Sequence, residues 1–363
     1  MLKIIVLLHF LIASASNSYS MLFFYKILPV NPPVFHTDLQ FHHQQLCSPI
    51  IKDNIVYQGM QDGTILSQDI ETKRILWEYH VVGQPTGAAY YKNTMVLTTL
   101  KGNIYALNME NGSLLWSYDT HKEILAKPVI QDNNLYVQTS LDTLYAFNLH
   151  DGTLNWQYTS KNVLEGLVVH LTPVPYISNN VLYTGFSNGD AVALYANTGK
   201  LLWTRKPATV KQFQDITIKP VGNDSIVIFS SYDNGLICLN KKDGTMVWER
   251  NDLKRAVAMF LTNNAVYAAF IDGKIYRLDM RTGDTIWKDE LGSESLFFIP
   301  GEYRTLLVLG VEKKKYKGII LMNEDDGHIV KHFSIVSGLS SAPIIEDDKI
   351  YATSNGGYLY SFK

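Results

Sequence analysis

Cysteine is nearly absent from this 363-residue chain: there are two, Cys47 and Cys238, in no spacing that a metal site would use. They fall in the first and fifth of the repeats described below, on opposite sides of a closed ring. Two small buried thiols are therefore expected rather than a disulfide. Charge is also sparse, at 18% of residues with a formal net charge of −2. That leaves no basic footprint for a nucleic-acid partner. Long apolar runs are missing too, and none reaches the roughly 20 residues of a membrane-spanning helix. The one notable run, Ile4 to Ile12, follows Lys3 and precedes Ala13-Ser14-Ala15. A short positive region, an apolar stretch and a small-residue cleavage pattern make a secretory signal. Residues 1–15 are read as signal peptide and 16–35 as an extension before the folded part.

What the chain does have is tryptophan at a fixed place. ENGSLLWSYD (110–119) recurs as HDGTLNWQYT, NTGKLLWTRK, KDGTMVWERN and RTGDTIWKDE. ETKRILWEYH carries Lys73 where the others carry glycine. All six tryptophans, Trp77, Trp116, Trp156, Trp203, Trp248 and Trp287, belong to this pattern, separated by 39, 40, 47, 45 and 39 residues. Each unit holds short alternating apolar and polar stretches with Asn-Gly or Asp-Gly between them, which are hairpin signals. Four antiparallel strands in about 40 residues describe one propeller blade. Two further copies lack tryptophan: residues 295–334, with Lys331 in its place, and 341–363, with three strands only. The expected fold is all-β, an eight-bladed propeller over 36–363. Its last blade needs an outer strand, and His36–His42 is the expected donor, so that no edge is left open. The tryptophans are read as blade-to-blade packing, set by the tight turn before each.

The pattern apolar-Pro, D/N-x-x-Y-V, G-x-L-Y-A-L-N, D/N-G-x-x-x-W resembles the pyrroloquinoline-quinone-type propeller repeat. Within it, EGLVVHLTPVPYISNNVLYTGFSNGDAVALYANTGKLLW (165–203) and the ending SGLSSAPIIEDDKIYATSNGGYLYSFK resemble the BamB family. The resemblance implies a periplasmic scaffold without chemistry or cofactor, monomeric, that holds the barrel-forming subunit BamA through its periplasmic domains. Unfolded outer-membrane proteins are a further candidate partner, through strand addition to the unpaired backbone groups of blade edges. Family partner loops follow G-L-x-L-R, here Gly166 to His170, and D-x-D, here Asp215 to Thr217. Leu167 and Val169 keep the apolar anchors, His170 replaces arginine, Asp215 matches and Thr217 departs. Many members carry a lipid on a cysteine just after the signal. Ser16-Asn17-Ser18 stands here instead, so association with the outer membrane is expected to run through the partner.

The same repeat occurs in quinone-dependent dehydrogenases, where a calcium ion, an aspartate base and often adjacent cysteines sit on the propeller axis. Such a cation needs several converging oxygens. This chain has no adjacent cysteines and minimal blades, and its acids, such as Asp151, Asp243 and Asp347-Asp348, fall in turns. No catalytic or metal-binding residue is therefore expected. A propeller that binds peptide or carbohydrate on one rim is the remaining alternative.

Overall fold

A computed structural model describes residues 25–29, 47–160, 171–206, 213–262, 264–292, 296–312 and 316–363. These form eight four-stranded antiparallel sheets, the blades of a propeller. Strands are called A to D from the inside outward. Blade three has A Val129–Gln131, B Asn134–Gln138, C Thr143–Asn148 and D Leu154–Thr159. Inner strands of neighbouring blades pack on one another, so they converge around the axis.

Local sequence dictates the hairpins. A-to-B turns at Asp53-Asn54, Asn179-Asn180 and Asp347-Asp348 put both residues at φ between 48° and 62°. That is the type I′ geometry that Asn and Asp tolerate and that suits the strand twist. Most C-to-D turns begin with an Asn or Asp side chain accepting backbone amides, as Asn148 does from His150 at 2.8 Å, and most end on a glycine. A bulge follows in strands C and D, for instance at Ala146/Phe147.

The hydrophobic core is not central. It is split into clusters at the seams, each built by two neighbouring blades. One joins blades three and four through Tyr136, Leu144 and Ala146 against Leu182, Val192 and Leu194. The seam between blades eight and one is made by Tyr351 and Leu359 against Val56 and Leu66. Ile350 and Phe362 close the other side of blade eight against Val308 and Leu321. The ring is thus continuous.

Closure uses a different strand from the one expected. Tyr25–Pro29 pairs antiparallel with Tyr358–Phe362, with Ile27 opposite Tyr360, and supplies strand D of blade eight. His36–His42 lies outside the described residues, as does the signal region 1–15. A five-residue strand with no turn or tryptophan to mark it is specified by its pairing alone.

The tryptophans lie at the seams, with a partner the sequence reading did not foresee. Each ring covers the turn glycine of the following blade: Trp77 on Gly112, Trp116 on Gly152, Trp156 on Gly199, Trp203 on Gly244, Trp248 on Gly283 and Trp287 on Gly327. Each indole Nε1 donates to the carbonyl three residues before that glycine, at 2.8 to 3.0 Å. The glycine before a tryptophan therefore serves the previous blade's tryptophan, not its own. This explains both departures from the repeat. Strand D of blade eight comes from Tyr25–Pro29, so no C-to-D turn exists there to receive a tryptophan from blade seven, and Lys331 stands in its place. Blade eight likewise sends no tryptophan onto blade one, so Lys73 can occupy the turn at φ 60°. The tyrosine of the D/N-x-x-Y motif completes the stack within its own blade, as Tyr136 does with Trp156 at 6.0 Å and Tyr183 with Trp203 at 6.0 Å.

Candidate functional site

Antiparallel order puts A-to-B and C-to-D turns on one face of the ring, and B-to-C hairpins and D-to-A connectors on the other. The first face satisfies itself. Two of its carboxylates are held below their usual range by hydrogen bonds of their own turns: Asp151 accepts from Thr153 N and Asp243 from Thr245 N. They are turn formers, as their positions in the sequence indicated.

The second face is different. Val82, Leu141, Leu171, Ile271 and Val336 are all exposed there, Val336 by 86%. All five sit on hairpins or connectors, where no strand pairing requires an apolar side chain. Leu141 and Leu171 flank the connector from blade three to blade four. That connector carries Leu167, Val169 and His170, which lie outside the described residues. The next connector carries Asp215 and Thr217, and both are buried, at 2% and 6% exposure. Backbone bonds tie it down: Tyr232 N donates to the Asp215 carbonyl at 2.8 Å and Ile216 N to Phe186 at 3.2 Å. Ile216 itself fills the space that Gly185 leaves, since a Cβ there would come within 2.3 Å of it. Asp215 and Thr217 thus lie in the base of this face rather than on its surface.

A polar cluster that the sequence reading missed supports the first connector. Asp142, in the B-to-C hairpin of blade three, reaches across the seam to blade four. Its Oδ1 accepts from Ser187 N at 3.0 Å, and its Oδ2 from the Ser187 hydroxyl. Asn188 Nδ2 donates to Ser160 Oγ at 3.1 Å and to Asp190 Oδ2 at 3.0 Å. Ser160 is the residue from which the connector departs, so the cluster pins its root. In sequence, Asp142 looks like one more turn aspartate. Asp62, for comparison, caps only its own hairpin through Thr64 N.

Burial pushes the Asp142 carboxyl up; the Ser187 hydrogen bonds oppose this and the nearby Asp190 adds to it. A raised folded-state pKa means that the ionised form is disfavoured by folding. The cost is felt above the folded pKa and vanishes below the ordinary value of 3.8, where both states are protonated. Asp142→Asn is expected to raise the melting temperature at pH 7.5 by about 1–3 °C. The gain should shrink as the pH approaches 4. Thermal unfolding across pH measures it, and a lower melting temperature at pH 7.5 would mean that the hydrogen bonds outweigh the burial.

Cys47 and Cys238 are buried and free, with their thiols pushed up to about 11 and about 12 by burial. Among the described residues no three His, Cys, Asp or Glu side chains are grouped to hold a metal ion. Among the same residues no helix is long and apolar enough to cross a membrane.

Eight minimal blades of this repeat define a propeller of the pyrroloquinoline-quinone-type repeat class. The profile of the family described as outer membrane protein assembly factor BamB matches residues 61–289, and the chain belongs to that family. Outer membrane protein assembly factor BamB of Yersinia pestis is 24% identical over 336 residues, covering 86% of this chain and 83% of that protein. The crystal structure of BamB from Moraxella catarrhalis superposes with a TM-score of 0.76 at 18% identity, covering 93% of this chain and 98% of that one. Quinohemoprotein alcohol dehydrogenase from Comamonas testosteroni shares the fold at a TM-score of 0.65 and 12% identity, covering 87% of this chain and 74% of that one.

Proposed function

We propose that this protein is a non-catalytic scaffold of the outer-membrane protein assembly machinery, working in the periplasm. Its hairpin-and-connector face docks the periplasmic domains of the barrel-forming subunit BamA, and association with the outer membrane follows from that contact. Membership of the family supports the assembly role. The observation that carries the docking face is the set of apolar side chains exposed on its hairpins and connectors, with Leu141 and Leu171 beside the connector of Leu167, Val169 and His170. Apolar anchors ringed by polar groups are how such contacts gain affinity. Asp215 and Thr217 contribute by holding the neighbouring connector, since both are buried.

Unfolded outer-membrane proteins are proposed as a second class of partner. Each outer strand has one backbone edge without a neighbour in its sheet, and it carries exposed apolar pairs such as Leu114-Leu115 and Met246-Val247. Strand addition needs such an edge.

The docking reading is tested by measuring binding of the mature protein to the periplasmic domains of the BamA from the same cell. Leu167→Asp and Leu171→Asp should each weaken binding at least tenfold, as anchor residues do. Tyr195→Asp, on the opposite face, should leave it unchanged. Equal binding by all variants would move the site; no binding by any form would remove the BamA reading itself.

A further inference from the structure

The blades differ at one register position, two residues before the strand-A residue paired with the conserved-place tyrosine of strand B. Val129 pairs with Tyr136 in blade three and Val221 with Ile228 in blade five. Two residues before each stands a lysine, Lys127 and Lys219, followed by a buried proline, Pro128 and Pro220. The corresponding places elsewhere hold uncharged side chains: Ser48, Gly87, Val174, Ala258, Ile299 and Ala342. Six blades therefore put no charge at this level of the channel, and two put an ammonium group there.

The two lysines belong to blades separated by a whole blade, yet the charge of Lys127 is felt at Lys219. Lys127 also acts on the thiol of Cys47, at the start of blade one. Side chains from blades one, three and five meet only where inner strands converge, so these groups surround the channel axis. Both lysines immediately follow D-to-A connectors, which places them at the mouth on the hairpin-and-connector face. Both are solvent-exposed. Among the described residues neither has a carboxylate within ion-pair distance. Arg255, in the blade-six connector, is by contrast matched by Asp233 at 3.6 Å and stacked over Tyr232 at 5.3 Å. The surrounding protein lowers both lysine pKa values, and for Lys219 the charge of Lys127 adds to the effect. Like charges held together without a counter-charge cost stability, and a bound anion removes that cost. A concave mouth with low-dielectric walls strengthens the attraction.

We propose that the channel mouth on this face is a binding site for a compact polyvalent oxyanion, held between Lys127 and Lys219. Two ammonium groups from different blades match an anion with separated negative oxygens, through charge-assisted hydrogen bonds. The same chemistry is offered by a phosphate ester or by a small polycarboxylate. This site is independent of the BamA contact.

The test is calorimetric titration of the purified protein at low salt with inorganic pyrophosphate in one arm and citrate in the other. At least one should bind at submillimolar Kd, and the stronger arm identifies phosphate or carboxylate as the preferred group. Lys127→Met/Lys219→Met should lose at least tenfold in affinity. Lys200→Met/Lys242→Met changes net charge equally on the opposite face and should bind as the parent does. The paired Lys→Arg variant should retain binding. Melting temperature provides a second readout: the Lys→Met pair should melt no lower than the parent, whereas the anion should stabilise only the forms that keep both cations. Neither anion binding, or binding unchanged by Lys127→Met/Lys219→Met, overturns the proposal. So does equal loss in the Lys200→Met/Lys242→Met control, since the effect would then be net charge alone.

Discussion

Replacing Gly152 by valine should destabilise the propeller by roughly 2–5 kcal/mol, through a left-handed backbone penalty of about 1–2 and overpacking of about 1–3. Gly152 holds φ 73°, and a Cβ on it would meet the Trp116 ring at 2.6 Å. The two contributions are separable. In a Trp116→Ala background the clash disappears and only the backbone penalty remains, so the cycle should show a favourable coupling of about 1 kcal/mol or more. Lys73 is the natural control. It occupies the equivalent turn at φ 60° with no tryptophan over it, and Lys73→Gly should change stability by no more than about 1 kcal/mol. Urea unfolding midpoints at constant slope measure all four proteins. A Gly152→Val cost equal in the presence and absence of Trp116 would show that the seam does not require the glycine.

The blade count and the strand order within each blade were readable because most hairpins are written in local chemistry. Asp and Asn mark most A-to-B turns, glycine marks most C-to-D turns, and alternation marks the strands between. The seams were half readable. Tryptophan and glycine recur four residues apart, which suggests that they act on each other. The real contact is 35 to 43 residues away, one blade on, and a regular repeat conceals which of two candidate partners is used. Only the exceptions distinguish them: Lys73 and Lys331 sit on either side of the one blade that lacks a C-to-D turn. The closing strand was not readable. Tyr25–Pro29 carries no turn signal, and its place is set by an edge more than 300 residues away, at Tyr358–Phe362. In the sequence, Leu167, Val169 and Asp215 mark the loops of the face proposed for docking. Burial was not readable: Asp215 looks like a free acid in sequence and lies at 2% exposure in the fold. Asp142 shows the converse, a turn aspartate whose geometry joins two blades.

Trp203→Ala should be the most damaging single truncation at a seam, costing about 3–5 kcal/mol. The indole is only 8% exposed and packs between Tyr183 at 6.0 Å and Phe229 at 6.4 Å, a residue of the next blade. Its Nε1 donates to the Lys241 carbonyl at 2.9 Å, and truncation leaves that carbonyl without this donor, beside the cavity. Part of the cost is recoverable. Gly244→Ala in the Trp203→Ala background places a methyl group where the ring had been and should be tolerated better than in the parent. Lys331 occupies the same register in blade seven, opposite Leu321, but no turn in blade eight can receive a ring. Lys331→Ala should therefore change stability by less than about 0.5 kcal/mol, as surface substitutions do. Lys331→Trp should bring no gain comparable to the Trp203 loss, although it restores the repeat. A loss below about 1 kcal/mol for Trp203→Ala, or a gain of several for Lys331→Trp, would mean that tryptophan stabilises its own blade. Repeat consensus would then be enough to design a seam. If the expected order is observed, a seam needs both members, and tryptophan contributes only where the next blade supplies a glycine turn beneath it.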